Sequence, residues 1–178
     1  MIKEITVHPK AKNHKARIAF LICILISAIC FVTSALIAKY KGVVAFAGAG
    51  AFVSAMLFYT KYISVEFYYD IAFDSEGTPI FVVRQLIGKR QTTLCRLDLS
   101  SIVRIEYETA KERKVHKTEF GFVKYVYAPT LFPAESYRIT ARSRYEKCEI
   151  IIECSKEFSE LLLSYSEEAR ALLPEEEE

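Results

Sequence analysis

Any chemistry in this 178-residue chain has to come from a short roster of side chains. The three histidines (His8, His14, His116) and five cysteines (Cys23, Cys30, Cys95, Cys148, Cys154) show no pair at zinc-site spacing, so no metal site is expected. No nucleophile elbow, phosphate-cradling glycine loop or pair of catalytic carboxylates stands out either, and three of the six glycines (Gly42, Gly48, Gly50) fall in or beside one apolar stretch. The expectation is a non-enzymatic protein with no cofactor. What remains are cations and aromatics. Lys89 and Arg90 occupy a predicted turn. Lys111, Arg113, Lys114 and Lys117 make a basic loop, read either as a solvated connector or as a headgroup or partner contact. Arg138, Arg142 and Arg144 form a basic stripe, and the segment from Tyr125 to Phe132 sets aromatics beside Pro129. That segment either docks a partner, grazes a bilayer or packs over the end of the domain.

The elements that position these residues divide sharply at about residue 61. Mean hydropathy is +0.16 although 26% of residues are charged, so the apolar residues are concentrated. Ile18 to Ala38 is 21 residues without a charge. At about 1.5 Å per residue such a helix spans roughly 31 Å, the thickness of a bilayer's hydrocarbon core. Val43 to Thr60 adds 18 uncharged residues after only Lys39, Tyr40, Lys41 and Gly42. Four residues cannot cross a membrane, so the pair 18–38 and 43–60 is expected to be a transmembrane hairpin. A cleaved signal peptide would have a shorter apolar core and no second span behind it.

Charge orients the hairpin. The segment 1–17 carries Lys3, Lys10, Lys12, Lys15 and Arg17 against Glu4 alone, which places both termini in the cytoplasm at the cell membrane. Residues 1–61 have a balance of +7 and residues 62–178 a balance of −5, together the +2 of the chain. An acidic domain argues against nucleic-acid binding. In a cytoplasmic domain Cys95, Cys148 and Cys154 are expected to be reduced thiols.

Within the hairpin, Cys23, Ser27, Cys30 and Ser34 make one small-residue stripe, and Ala47, Ala51, Ser54 and Ala55, with Gly48 and Gly50, offer another. Small residues let helix backbones approach in lipid. The stripes either close the hairpin or leave a glycine face for self-association. Neither span carries a charged residue, so an ion or substrate pathway through this chain alone is not expected.

From Ile63 the apolar period changes to two, through Val65, Phe67, Tyr69, Ile71 and Phe73, the mark of a half-buried strand. Further strands are predicted at 80–87, 92–97, 102–108, 120–127, 136–143 and 148–154, with a bend at 98–101. A last hairpin turning at Tyr145 and Glu146 would set Arg142 opposite Glu149 and Arg138 opposite Glu153, neutralising the basic stripe. Ser155 caps a closing amphipathic helix whose apolar face holds Phe158, Leu161, Leu162, Tyr165, Ala169, Leu172 and Leu173; Pro174 ends it before the acidic tail 174–178.

Seven strands and one closing helix, with Gly88-Lys89-Arg90 and the bend at Leu97 to Ile102, resemble the pleckstrin-homology-like β-roll. The layout as a whole resembles bacterial small membrane proteins in which a two-helix hairpin precedes such a domain over about 61–173. The resemblance implies a non-enzymatic, membrane-anchored interaction or scaffold module, binding a protein partner or itself. Anionic-lipid sensing, or service as an accessory subunit of a larger membrane complex, are its alternatives. It also puts Lys89 and Arg90 where eukaryotic members hold phosphoinositides, although the fuller basic pattern of those members is not repeated here.

Overall fold

The computed structural model describes residues 3–9, 13–37, 39–116, 118, 120–131, 133–142 and 147–172. Lys117, Arg144, the turn at Tyr145 and Glu146 and the tail 174–178 lie outside the described residues. The chain divides into two units, one of residues 11–65 and one of residues 1–10 with 66–178.

The first unit is a pair of helices, α1 (His14–Leu36) and α2 (Lys41–Phe58), the second running on through a π-helical turn, Tyr59–Ile63. Each helical stretch is 23 residues long, and only 11% of its most apolar window is buried. Leu21, Leu25, Val32, Val43, Phe46 and Leu57 all present more than half their surface outward. Both helices are long and apolar enough to cross a membrane.

The seam between the helices runs where small residues allow. Ala16, Ser27 and Ser34 are the buried residues of α1, and Gly48 and Ala55 those of α2. Ser27 Oγ donates to Gly48 O at 2.9 Å, satisfying a buried hydroxyl. A Cβ at Gly48 would lie 3.0 Å from Cys30 Cβ, so a side chain there would have to push α1 away by a few tenths of an ångström. Ala47 and Gly50 face away from the seam. At the open end, Asn13 Nδ2 donates to Tyr62 O at 2.7 Å and ties the two helices together.

The second unit holds two four-stranded sheets and a closing helix. Sheet A has the order β1-β2-β3-β4, from β1 (Ile5–Val7), β2 (Val65–Phe73), β3 (Pro79–Ile87) and β4 (Arg90–Asp98). Sheet B has the order β5-β7-β8-β6, from β5 (Ile102–Thr109), β6 (Val123–Val126), β7 (Glu135–Arg142) and β8 (Lys147–Ile152). A 3-10 turn at Leu99–Ser101 joins the sheets where the bend was predicted. The closing helix α4 spans Lys156–Ala171, with the Ser155 side chain accepting from the Phe158 amide.

Seven strands were expected, and the described residues form eight. The additional one, β1, pairs antiparallel with β2 in the register Ile5↔Ile71 and Val7↔Tyr69. The helix pair is therefore an excursion of the chain between two neighbouring antiparallel strands. Antiparallel neighbours sit about 5 Å apart, so the chain leaves for the helices and returns from them at one end of one strand pair.

The core is filled by the alternating residues: Val65, Phe67, Tyr69 and Ile71 of β2, Phe81 and Val83 of β3, and Ile139, Ala141, Ile150 and Ile152 of β7 and β8 are all buried. Phe158, Leu162 and Ala169 of α4 join them, while Leu172, predicted inward, is exposed. Phe73 is also outward, since β2 ends there at a turn.

Two expectations are corrected. The last hairpin pairs Ala141 with Cys148 and Arg142 with Lys147, two residues away from the predicted register. A slip of two keeps every side chain on its face, so the core set is as predicted, but Arg138 now lies opposite Ile151 and Glu149 opposite Thr140. The basic loop is the second. Ala110–Val115 is a helix, α3, started by a capping box in which Thr109 and Glu112 satisfy each other's backbone.

Candidate functional site

The cations singled out in the sequence are dispersed. Lys89 lies in the exposed β3–β4 turn, whose Gly88 adopts φ +60°, and Arg90 opens β4 beside it. Lys111 and Lys114 are exposed on α3. Arg113 turns inward, donating to Pro133 O at 3.2 Å and to Ser136 Oγ at 2.6 Å, and so pins α3 to the start of β7. Arg113 is thus a structural residue, and the remaining cations sit on two separate elements.

The segment after β6 is tied down. The Tyr69 hydroxyl donates to Tyr127 O at 2.7 Å and accepts from the Glu153 amide at 3.3 Å, while Thr130 Oγ1 donates to Glu153 at 2.6 Å. Ala128 is buried, and Tyr125 stacks on Tyr127 with centroids 6.0 Å apart. Of the readings open for this segment, its described residues fit packing over the domain's end. Burial pushes the Tyr69 hydroxyl well above the ordinary phenol range, so it stays a protonated donor.

Sheet B carries the unexpected chemistry, and its two faces differ. On the α3 face, Arg138 is 1% exposed and its guanidinium reaches both Glu108 and Glu149, the latter at 3.1 Å. His116, just past α3, stands 3.7 Å from Glu149. Burying one guanidinium with two carboxylates is tolerable because they are hydrogen-bonded to each other. One oxygen, Glu108 Oε2, is buried without a partner among the described residues. Beside it lies a cavity of 320 Å³ lined by Glu106, Tyr107, Glu108, Glu112 and His116.

On the opposite face β5 and β7 meet α4 in a groove of 520 Å³. Its wall is largely apolar, with Ile105, Tyr107 and Tyr137 from the sheet and Leu163 from α4, and Glu135, Lys156 and Glu160 at the rim. Tyr107 and Tyr137 pack edge-on at 5.6 Å, and the Lys156 ammonium is 3.4 Å from Glu160. Burial, followed by the hydrogen bond to Glu135, raises the Tyr107 hydroxyl above its ordinary pKa.

Of the residues around these two cavities only Glu112 and His116 fall in a segment singled out beforehand, the basic loop 111–117, and there for its cations. Period-two alternation along β5 did carry the signal: Ile105 and Tyr107 belong to one face, Glu106 and Glu108 to the other. Comparison of the chain with protein-family models and with curated proteins finds no match to either.

Proposed function

We propose that this protein is a membrane-anchored, non-enzymatic interaction module. The helix pair crosses the cell membrane as a hairpin, and the β-rich unit, read as pleckstrin-homology-like, stands at the cytoplasmic face to hold a protein partner. The observation that carries this reading is the place of the helices in the chain. Two apolar helices, clothed in outward-facing Leu, Ile, Val and Phe, interrupt a strand pair whose members β1 and β2 must share one compartment. An even number of crossings satisfies that requirement.

The basic segment 1–17 favours the cytoplasmic side for both ends. The strands β2 to β4, the turn into β5 and the closing α4 support the domain reading. Anchoring acts by confinement, because a tethered domain meets membrane-bound partners at an effective concentration that a free one does not reach.

Sidedness tests the reading. An epitope ahead of Met1 and another after Glu178 are both expected to be accessible in inside-out vesicles and protected in right-side-out ones. A Lys39→Cys variant is expected to label from the outside only. Epitopes on opposite sides would rule out the hairpin, and a tip that labels from the inside would reverse or remove the crossing.

A further inference from the structure

The outer edge of β5 separates two cavities of opposite character, and this geometry points to a docking site for an extended segment of a partner protein whose residues alternate basic and apolar. It deepens the module reading by giving the partner's chemistry, and it rests on that reading only for where the partner is met.

Among the described residues β5 is the outer strand of sheet B, with β7 its neighbour. An outer strand presents a row of main-chain donors and acceptors that another extended chain can complete. A strand added there sends successive side chains to opposite faces of the sheet. On the α4 face they would meet Ile105, Tyr107, Tyr137 and Leu163 in the 520 Å³ groove. On the α3 face they would meet Glu106, Glu108, Glu112 and His116 around the 320 Å³ cavity. The first face takes Leu, Ile or Phe, and the second takes Lys or Arg.

Charge selects the occupant. Glu106 pairs with Arg104 at 2.9 Å and Glu112 caps α3, while the buried cluster holds two carboxylates for the guanidinium of Arg138 and the His116 ring, 3.7 Å from Glu149. Glu108 Oε2 is a buried acceptor without a hydrogen-bond partner among the described residues and belongs to a residue lining the cavity; His116 Nε2 and Arg138 Nε are buried donors in the same position. A cationic side chain seated there completes the cluster. Antiparallel pairing of two β5 edges can set Arg104 of one copy opposite a glutamate of the other, so a second copy is the competing occupant that the test separates.

The test uses the full chain in detergent or nanodiscs with three synthetic peptides: KLKFKLK, the same composition without alternation (KKLFLKK), and KLKFKLK with alternate backbone amides N-methylated. Side chains are identical in the first and third, so the difference reads strand addition alone. The expected result is saturable binding of the first, with slowed amide exchange confined to β5. The other two are expected to bind at least about tenfold more weakly, the equivalent of one or two lost main-chain hydrogen bonds. Equal binding of the N-methylated peptide, equal binding of the non-alternating one, or binding that leaves β5 exchange unchanged would each overturn the proposal. So would β5 protection in the free chain that disappears on dilution, which would assign the edge to a second copy. The protein is held in solution throughout, so failure here leaves the sidedness result untouched, and the converse holds.

Discussion

Arg138 on β7 reaches diagonally across the sheet to Glu149 on β8, Nη1 to Oε2 at 3.1 Å, with both residues almost completely buried. The same guanidinium also bonds Glu108 on β5, so one side chain crosslinks three strands of sheet B. Removing one partner from such a cluster leaves uncompensated charge where water cannot reach it. Arg138→Ala is expected to destabilise the domain by about 3–5 kcal/mol. A triple replacement of Arg138, Glu108 and Glu149 by apolar residues of similar size should recover most of that loss. Thermal or denaturant unfolding of the two variants distinguishes these outcomes; equal stability of Arg138→Ala and the parent would show that the cluster is not closed as described.

Tyr69 joins the sheets through its hydroxyl, which lies 2.7 Å from Tyr127 O and 3.3 Å from the Glu153 amide. Tyr69→Phe keeps the ring against Phe158 and loses both bonds. The expected cost is about 1–3 kcal/mol, the net worth of two part-buried hydrogen bonds. Faster amide exchange at 127–131, with the α4 amides unaffected, is the accompanying signature.

In the hairpin, Gly48 and Gly50 make a matched pair. A side chain at Gly48 meets Cys30 and Ser27, whereas one at Gly50 meets nothing within 4 Å. Gly48→Val should force the helices apart and Gly50→Val should not, read as the rate of disulfide formation between cysteines placed at positions 20 and 59, whose native rings lie 5.9 Å apart across the seam. Ser27→Ala removes the interhelical bond to Gly48 and is expected to cost only about 0.6 kcal/mol, the usual size in a membrane. Both glycine variants behaving alike would mean that the seam lies elsewhere.

Two titrations give opposite signs. Hydrogen bonds from the Thr109 amide and hydroxyl hold the Glu112 carboxyl below the ordinary carboxylate range. A carboxylate with a lowered folded-state pKa contributes stability that is present above its unfolded pKa and lost as the pH falls through the folded value. α3 should therefore lose helical carbon chemical shifts at 110–115 in that acid window, and Glu112→Gln should abolish the pH dependence. Cys154 is the reverse case: burial pushes its thiol up to about 12. In the folded protein it should resist iodoacetamide at neutral pH and react promptly once unfolded. Rapid native labelling at Cys154 would contradict its described burial.

The parts of this fold legible in the sequence are those in which a face or a length repeats. Ile18 to Ala38 and Val43 to Thr60 stand out through sheer apolar length as helices able to span a membrane, and Val65, Phe67, Tyr69 and Ile71 announce a strand by alternation. Strand β1 escaped notice because three residues carry too little period and their partner lies beyond the whole helix pair. The helix α3 did leave a signal, Thr109 followed three residues later by Glu112, which the dense charge of the following residues obscured. Arg138 and Glu149 read as surface residues, since nothing local tells that another strand will bring Glu108 over them. For the same reason the register of the last hairpin, inferred from two surface ion pairs, settled two residues away, where a shared buried pair is made instead. The groove residues Tyr107 and Tyr137 come together only through the β5–β7 pairing.

The central claim is that residues 14–63 have lipid as their solvent while strand β1 keeps the chain ahead of them with the domain. Alkaline carbonate extraction of membranes containing the full chain measures this most directly. The protein should remain wholly in the pellet and enter solution only with detergent. Recovery in the carbonate supernatant, as a chain stable in water without detergent, would contradict it.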